Sequence, residues 1–270
     1  MPARSVSVDG LEIGYDVLGA GPPVVLLHGA TSVGSFDFAA QLPVYRRAFL
    51  VHLPDARGHG RTRWDARNGF EAAWLVSDLE AFADALGLAT FHLVGFSLGA
   101  MTALQFAARH PERVRTLVVV GITPQREPRA SIARRTMDPD RIERDDPDWA
   151  ARLEAVHGPG QGSKAWRHLL PAIAADVAVQ PLVTPRELRG VSAPALVVCG
   201  DRDPFVPVDH AWGLTRQLPD ARLLVAPDCG HEVMRQRPAV FNAALADFYR
   251  STEAVARRRA APPAQQGGAR

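Results

Sequence analysis

Phe91-His92-Leu93-Val94-Gly95-Phe96-Ser97-Leu98-Gly99 decides how this chain is read. An apolar run ends on a serine held between two glycines, and a helix-forming stretch, Met101 to Arg109, follows. The order is strand, tight turn, helix. Such a turn strains the serine backbone, and only small flanking residues let the chain pass close to itself. The hydroxyl is lifted above the edge of a sheet, beside the positive end of a helix. The plainer alternative is that Ser97 caps a helix in a glycine-rich turn.

On either side, short apolar runs alternate with amphipathic patterns. Val24 to Leu27, Phe49 to Leu53, Phe91 to Val94, Leu117 to Val120, Ala195 to Val198 and Leu223 to Val225 are continuous. Strands read this way when helices cover both faces of their sheet. Leu75, Leu79, Phe82 and Leu86 share one helical face, as do Ala211, Leu214 and Leu218, and Phe241, Leu245 and Phe248. Strand–helix alternation predicts a mostly parallel, doubly wound α/β sheet. Asp9-Gly10, between Ser5–Val8 and Leu11–Asp16, predicts a hairpin and an antiparallel edge.

The rhythm breaks from Thr123 to Ser192, a stretch rich in Pro, Arg and Asp with helical pieces at Pro128–Met137, Pro147–His157 and Lys164–Ala174. It reads as a helical insertion over the carboxyl edge of the sheet, since so long a structureless loop is unusual. The expected organisation is a core at 1–122 and 193–250, a cap at 123–192, and a disordered tail at 251–270, where composition turns to Ala, Arg, Pro, Gln and Gly.

The 270 residues are 47% hydrophobic with a net charge of +2. That balance suits one α/β domain and carries no electrostatic footprint for nucleic acid. No apolar run reaches membrane-spanning length and no secretory leader opens the chain, so the expected location is cytoplasmic. The two cysteines, Cys199 and Cys229, lack metal-ligand spacing and read as reduced and buried. No nucleotide-binding glycine motif follows a strand, so neither metal nor cofactor is called for.

A serine hydroxyl needs a base within hydrogen-bond reach, and the base needs an orienting acid. In a parallel sheet all three project from the carboxyl ends of strands. Gly200-Asp201-Arg202-Asp203-Pro204 follows one apolar run and Asp228-Cys229-Gly230-His231 follows the next. The chain order Ser, Asp, His is that of the nucleophile-elbow hydrolases. Of the nine histidines, His231 fits by position; Asp203 is preferred as the acid, with Asp201 holding the turn, and Asp55 and Asp228 as weaker candidates. Oxyanion donors are expected at the amides of Leu98, next after the serine, and Ala30, in the loop after Val24–Leu27.

The chain resembles the α/β-hydrolase fold family from Val24 to about Tyr249. The matching pieces are Leu27-His28-Gly29, Asp55-Ala56-Arg57-Gly58-His59-Gly60, Gly95-Phe96-Ser97-Leu98-Gly99, Gly200-Asp201-Arg202-Asp203-Pro204-Phe205-Val206-Pro207 and Gly230-His231-Glu232. The resemblance implies a helical cap after strand 6, a triad acid at the second aspartate of its loop, and a mainly structural Arg57–Gly60 loop. The serine disfavours relatives that use aspartate there. Ala100 departs from the glycine common after the elbow. Enol-lactone hydrolases and small carboxylesterases are the relatives it most resembles. Carbon–carbon bond hydrolases often carry Asn where Phe96 stands, and perhydrolases keep the same triad.

The expected pocket is apolar, lined by Thr31, Phe96, Phe205, Val206, Val233 and Met234, with Trp166 from the cap. The expected partner is a small hydrophobic ester or lactone, with no nucleic acid or membrane, and the chain a monomer or homodimer. A ligand-binding module without catalysis is the reading from a different class.

Overall fold

A computed structural model describes residues 4–260, of which 253–260 are described as backbone only. Its strands are β1 (Arg4–Val8), β2 (Leu11–Gly19), β3 (Pro23–Leu27), β4 (Leu50–Pro54), β5 (Phe91–Phe96), β6 (Val114–Val120), β7 (Ala195–Gly200) and β8 (Ala221–Ala226). They form one eight-stranded sheet in the order β1-β2-β4-β3-β5-β6-β7-β8. β3 through β8 run parallel. β1 and β2 are antiparallel to their neighbours, as the Asp9-Gly10 turn predicts. Both turn residues have the positive φ that this hairpin requires, 46° and 79°.

Continuous apolar strands make sense once each face is followed separately. Val25 and Leu27 of β3, Leu93 of β5, Leu117 and Val119 of β6, and Val197 of β7 lie in one buried cluster. Their alternates, Val24 and Leu26, Val94, Val118 and Val120, and Leu196 and Val198, lie in another. Side chains along a strand point to opposite faces, so two cores demand apolar residues at every position. Each fully buried Val or Leu contributes about 1.5–3 kcal/mol.

The helices are α1 (Gly34–Asp37), α2 (Leu42–Tyr45), α3 (Ala72–Ala85), α4 (Leu98–Arg109), α5 (Arg129–Thr136), α6 (Pro139–Asp145), α7 (Pro147–Gln161), α8 (Trp166–Val179), α9 (Pro185–Gly190), α10 (Val208–Gln217), α11 (Val233–Gln236) and α12 (Pro238–Ala260). α3, α4 and α10 cover the first face. α2, α11 and α12 cover the second. Ala100, Ala103 and Ala107 give α4 a stripe of small buried residues that lets it lie close on the sheet.

Between β6 and β7 the chain carries five helices, α5 to α9, and no described strand. Local capping sets their starts: Asp138 and Asp146 accept backbone N–H groups at α6 and α7, and Thr184 with Glu187 forms a capping box at α9. α5 and α8 bury Ala130, Ala133, Leu169 and Ile173 against Ala30 and Leu98 of the core. α12 continues through Ala260, where composition pointed to disorder from Ser251. Glu253-Ala-Val-Ala-Arg-Arg-Arg-Ala260 consists largely of strong helix formers, and the first helix-breaking proline comes only at Pro262. Residues 261–270 of the expected tail lie outside the described residues.

Candidate active site

Ser97 sits between β5 and α4 with φ 51° and ψ −109°, a conformation a side-chain-bearing residue adopts only under constraint. The constraint is crowding. A Cβ on Gly95 would lie 2.2 Å from the Gly99 carbonyl oxygen, and one on Gly99 would lie 2.4 Å from that of Leu27. The Ser97 amide is held by Val120 O at 2.9 Å and the Gly99 amide by His28 O at 3.1 Å, so β6 and the loop after β3 pin the turn.

Three residues distant in sequence meet at this point. Ser97 Oγ is 3.0 Å from His231 Nε2, and His231 Nδ1 is 2.8 Å from Asp203 Oδ2. A carboxylate only accepts, so Nδ1 carries the ring hydrogen and Nε2 is left to accept from the hydroxyl. The Asp203 carboxylate is wholly buried. Its Oδ1 accepts from the amides of Phe205 at 2.8 Å and Val206 at 3.2 Å, which fix the side chain. Phe205 and Phe96 flank the imidazole, with ring centroids at 4.5 and 5.0 Å. Such an arrangement can take a proton from the serine and hold the resulting cation beside a buried anion.

The competing carboxylates are engaged elsewhere. Asp201 accepts from the Cys229 amide at 3.0 Å, and that bond with the Asp228 amide holds its carboxyl below the usual range. Asp55 is bound by Arg61, and Asp228 pairs with Arg202 and Arg237. Cys199 and Cys229 are free and buried, and burial pushes the Cys199 thiol up to about 11. Neither is poised as a thiolate.

The two expected oxyanion amides flank the elbow. The Leu98 N–H opens α4 and has no helical partner. Ala30 N–H donates to no other group among the described residues. The loop that carries it is held by a side chain that sequence reasoning missed. Asp37 Oδ2 accepts from the Gly29 amide at 2.8 Å, and burial raises the Asp37 carboxyl to about 6. An acid between the aromatics Phe36 and Phe38 was the available signal.

Of the expected pocket, Phe96 and Phe205 meet His231, and Thr31 lies half-buried on the Ala30 loop. Four residues are placed differently. Val206 belongs to the core under α10, because its amide is spent on Asp203 and its side chain turns inward. Val233 and Met234 open α11 and pack with Phe241 on the other face. In the segment between β6 and β7, Trp166 is buried with Ile142, Leu153 and Leu170, which form a cluster of their own. The apolar groups that share a buried cluster with Ala30 and Leu98 are Ala130, Ala133, Leu169 and Ile173. A small cavity of about 40 Å³ lies beside the elbow; its lining includes Leu98, Gly99, Thr102, Leu75 and Leu79 but not Ser97 or His231.

The sequence profile described as the Alpha/beta hydrolase family matches residues 24–244. The chain belongs to that family. It is 31% identical to the pimeloyl-[acyl-carrier protein] methyl ester esterase of Chromobacterium violaceum, over 88% of this chain and 98% of that protein. It is 29% identical to the 2-hydroxy-6-oxo-6-phenylhexa-2,4-dienoate hydrolase of Comamonas testosteroni, over 88% and 91%. Among solved structures, Est816, an N-acyl homoserine lactone degrading enzyme, superposes with a TM-score of 0.74 at 29% identity, covering 91% of this chain and all of that one. Family membership makes this chain an α/β-hydrolase enzyme with a strand-turn-helix elbow.

Proposed function

We propose that this chain is a serine hydrolase that cleaves carboxylic esters or lactones through an acyl-enzyme. The observation that carries it is the unbroken relay from Ser97 through His231 to buried Asp203, at 3.0 and 2.8 Å. His231 Nε2 takes the hydroxyl proton as Ser97 Oγ bonds to the substrate carbonyl carbon. The carbonyl oxygen becomes an anion held by the Ala30 and Leu98 amides. His231 then gives the proton to the leaving alkoxide oxygen as that bond breaks. Water, deprotonated by the same ring, releases the acid and restores Ser97. Asp203 keeps the imidazole in the productive tautomer. Residues 1–122 and 193–250 serve as the core and 123–192 as the cap.

Ala30, Leu98, Ala130, Ala133, Leu169 and Ile173 favour an apolar acyl chain of modest size. The ester and lactone named for two of the relatives agree with this class. The Comamonas relative favours a second reading on the same relay, hydrolysis of a carbon–carbon bond in a dienoate. Among the described residues no helix is long and apolar enough to cross a membrane.

Initial rates on p-nitrophenyl esters of graded chain length, several lactones and a meta-cleavage dienoate separate these readings. The expected result is highest kcat/KM for a short or medium acyl ester or a lactone, and at least a hundredfold less for the dienoate. Turnover of the dienoate alone transfers the assignment to the second reading, and turnover of none of them together with a Ser97 inert to a fluorophosphonate favours the binding module.

A further inference from the structure

The loop that presents the Ala30 amide is held by stacked imidazoles, and the outermost belongs to the cap segment. His28 Nε2 accepts from the Ala56 amide at 2.9 Å, so its Nδ1 carries the hydrogen and donates to Gly29 O at 2.7 Å. Gly29 O and Ala30 N–H lie in one planar peptide. The His28 ring therefore sets the direction of the proposed oxyanion donor. His59 holds the next peptide, with Nε2 2.9 Å from Ala30 O and Nδ1 3.0 Å from Arg57 O. Both contacts are carbonyl oxygens, and a neutral ring has a single N–H to share between them. The hold on Ala30 O thus depends on where the His59 ring is kept.

His157, wholly buried near the end of α7, keeps it there. Its ring packs edge-on against His59 at 5.4 Å, and His59 packs on His28 at 5.0 Å. His157 Nδ1 accepts from the Gly60 amide at 3.2 Å. Its Nε2–H is buried with no hydrogen-bond partner among the described residues. The seat under α7 is tight. A Cβ on Gly160 would lie 1.9 Å from Gly60 O. Gln161 Nε2 donates to the carbonyls of His59, Gly60 and Thr62 at 3.2, 3.1 and 2.8 Å, and Arg63 Nε donates to Gly160 O at 2.8 Å. One helix of the cap segment is locked to the very turn that carries His59.

We infer that seating of α7 is transmitted through His157, His59 and His28 to the Ala30 peptide, so that the oxyanion donor is in place only when the cap is docked. His59 and His157 are then positioning residues, acting through the loop and touching no substrate. The inference rests on the hydrolase reading for its kinetic consequence, and on geometry alone for its mechanical one.

Two arms test it on the full chain. His157→Ala removes the outer ring, and Gly160→Ala drives a methyl group into Gly60 O. Both are expected to lower kcat on a p-nitrophenyl ester roughly 10–100-fold with KM changed less than about threefold, because a displaced donor weakens the transition state more than the ground state. His157→Asn, which keeps an acceptor for the Gly60 amide, is expected to recover part of the loss. A kcat within about threefold of the parent in both variants overturns the inference. Hydrogen exchange of the unmodified protein tests the coupling without any turnover. The Gly29 amide, bonded to Asp37, and the amides of α7 are expected to open with one equilibrium constant, and Gly160→Ala to raise both together. Opening of α7 with Gly29 protection unchanged overturns it. Absence of ester turnover in the parent strikes the hydrolase reading, whereas uncoupled exchange strikes the relay.

Discussion

Ser97→Ala is expected to lower kcat/KM on an ester by roughly 10⁴-fold or more while leaving the fold intact. Among the described residues the hydroxyl makes one hydrogen bond, with His231 Nε2, so its removal costs about 1 kcal/mol of stability at most. The backbone strain at φ 51° is imposed by the glycine crossings and persists with alanine in place. His231→Ala is expected to match the loss, and the double variant to fall no further, because base and nucleophile act in one step. Asp203→Asn is the finer probe. Its amide oxygen can still accept from Phe205 and Val206, but its NH2 then faces His231 Nδ1. The ring is forced into the tautomer that points N–H at Ser97, and the base is lost with the geometry kept; a drop of about 10⁴ is expected. Initial rates together with thermal unfolding check the series. Ser97→Ala retaining more than about a hundredth of parent turnover contradicts the role given to Ser97.

The second large effect is on stability, and acid is the trigger. Burial, reinforced by neighbouring rings, lowers His28 and His59 to about 4 and His157 to about 3, and burial lowers His92 to about 4. In the unfolded chain each takes up a proton near pH 6.5. Above that pH both states are neutral and nothing changes. Between about 6.5 and 4 the unfolded state binds more protons, so stability falls as pH falls. The loss is complete once the native rings also protonate. Groups facing the cluster modify this little: Asp55 and Glu154 oppose it, and the Asp37 carboxyl, raised to about 6, works in the opposite sense over the same window. Each buried neutral imidazole contributes up to about 1.4 kcal/mol per pH unit. The lowered imidazoles, His52 among them, set against the carboxyls of Asp37, Asp78 and Asp176, all raised by burial, leave a net fall on the order of 2 kcal/mol per unit at its steepest, against a total stability of about 5–15 kcal/mol. Thermal unfolding is expected to be flat from pH 8 to 7 and to drop by about ten degrees or more by pH 5. A Tm unchanged down to pH 4.5 contradicts the burial of neutral rings.

The sheet was legible because two-sided burial leaves so plain a trace. Val24 to Leu27 and Leu117 to Val120 read as unbroken apolar runs, and in the fold each divides between two cores. The elbow was legible for a related reason, since few sequences let Gly95 and Gly99 meet other backbone so closely. Asp203, His231 and Ser97 could be placed because each follows a strand at the same sheet edge. The pocket was not legible. Val233 and Met234 stand two and three residues past His231, and a short helix turns them back into the core. Trp166 read as pocket lining because an aromatic in the expected cap needs cover, yet the helices between β6 and β7 bury it in a cluster of their own. Asp37 and His157 escaped notice because their partners are backbone groups of the loops they hold, which leave no residue pattern.

The most direct measurement is intact-mass and peptide analysis of the protein after treatment with an alkyl fluorophosphonate, a reagent that bonds only to an activated hydroxyl. The account predicts one adduct per chain, on the peptide carrying Ser97, abolished in His231→Ala. An unmodified Ser97 in the folded protein, or an adduct on another residue in its place, contradicts it.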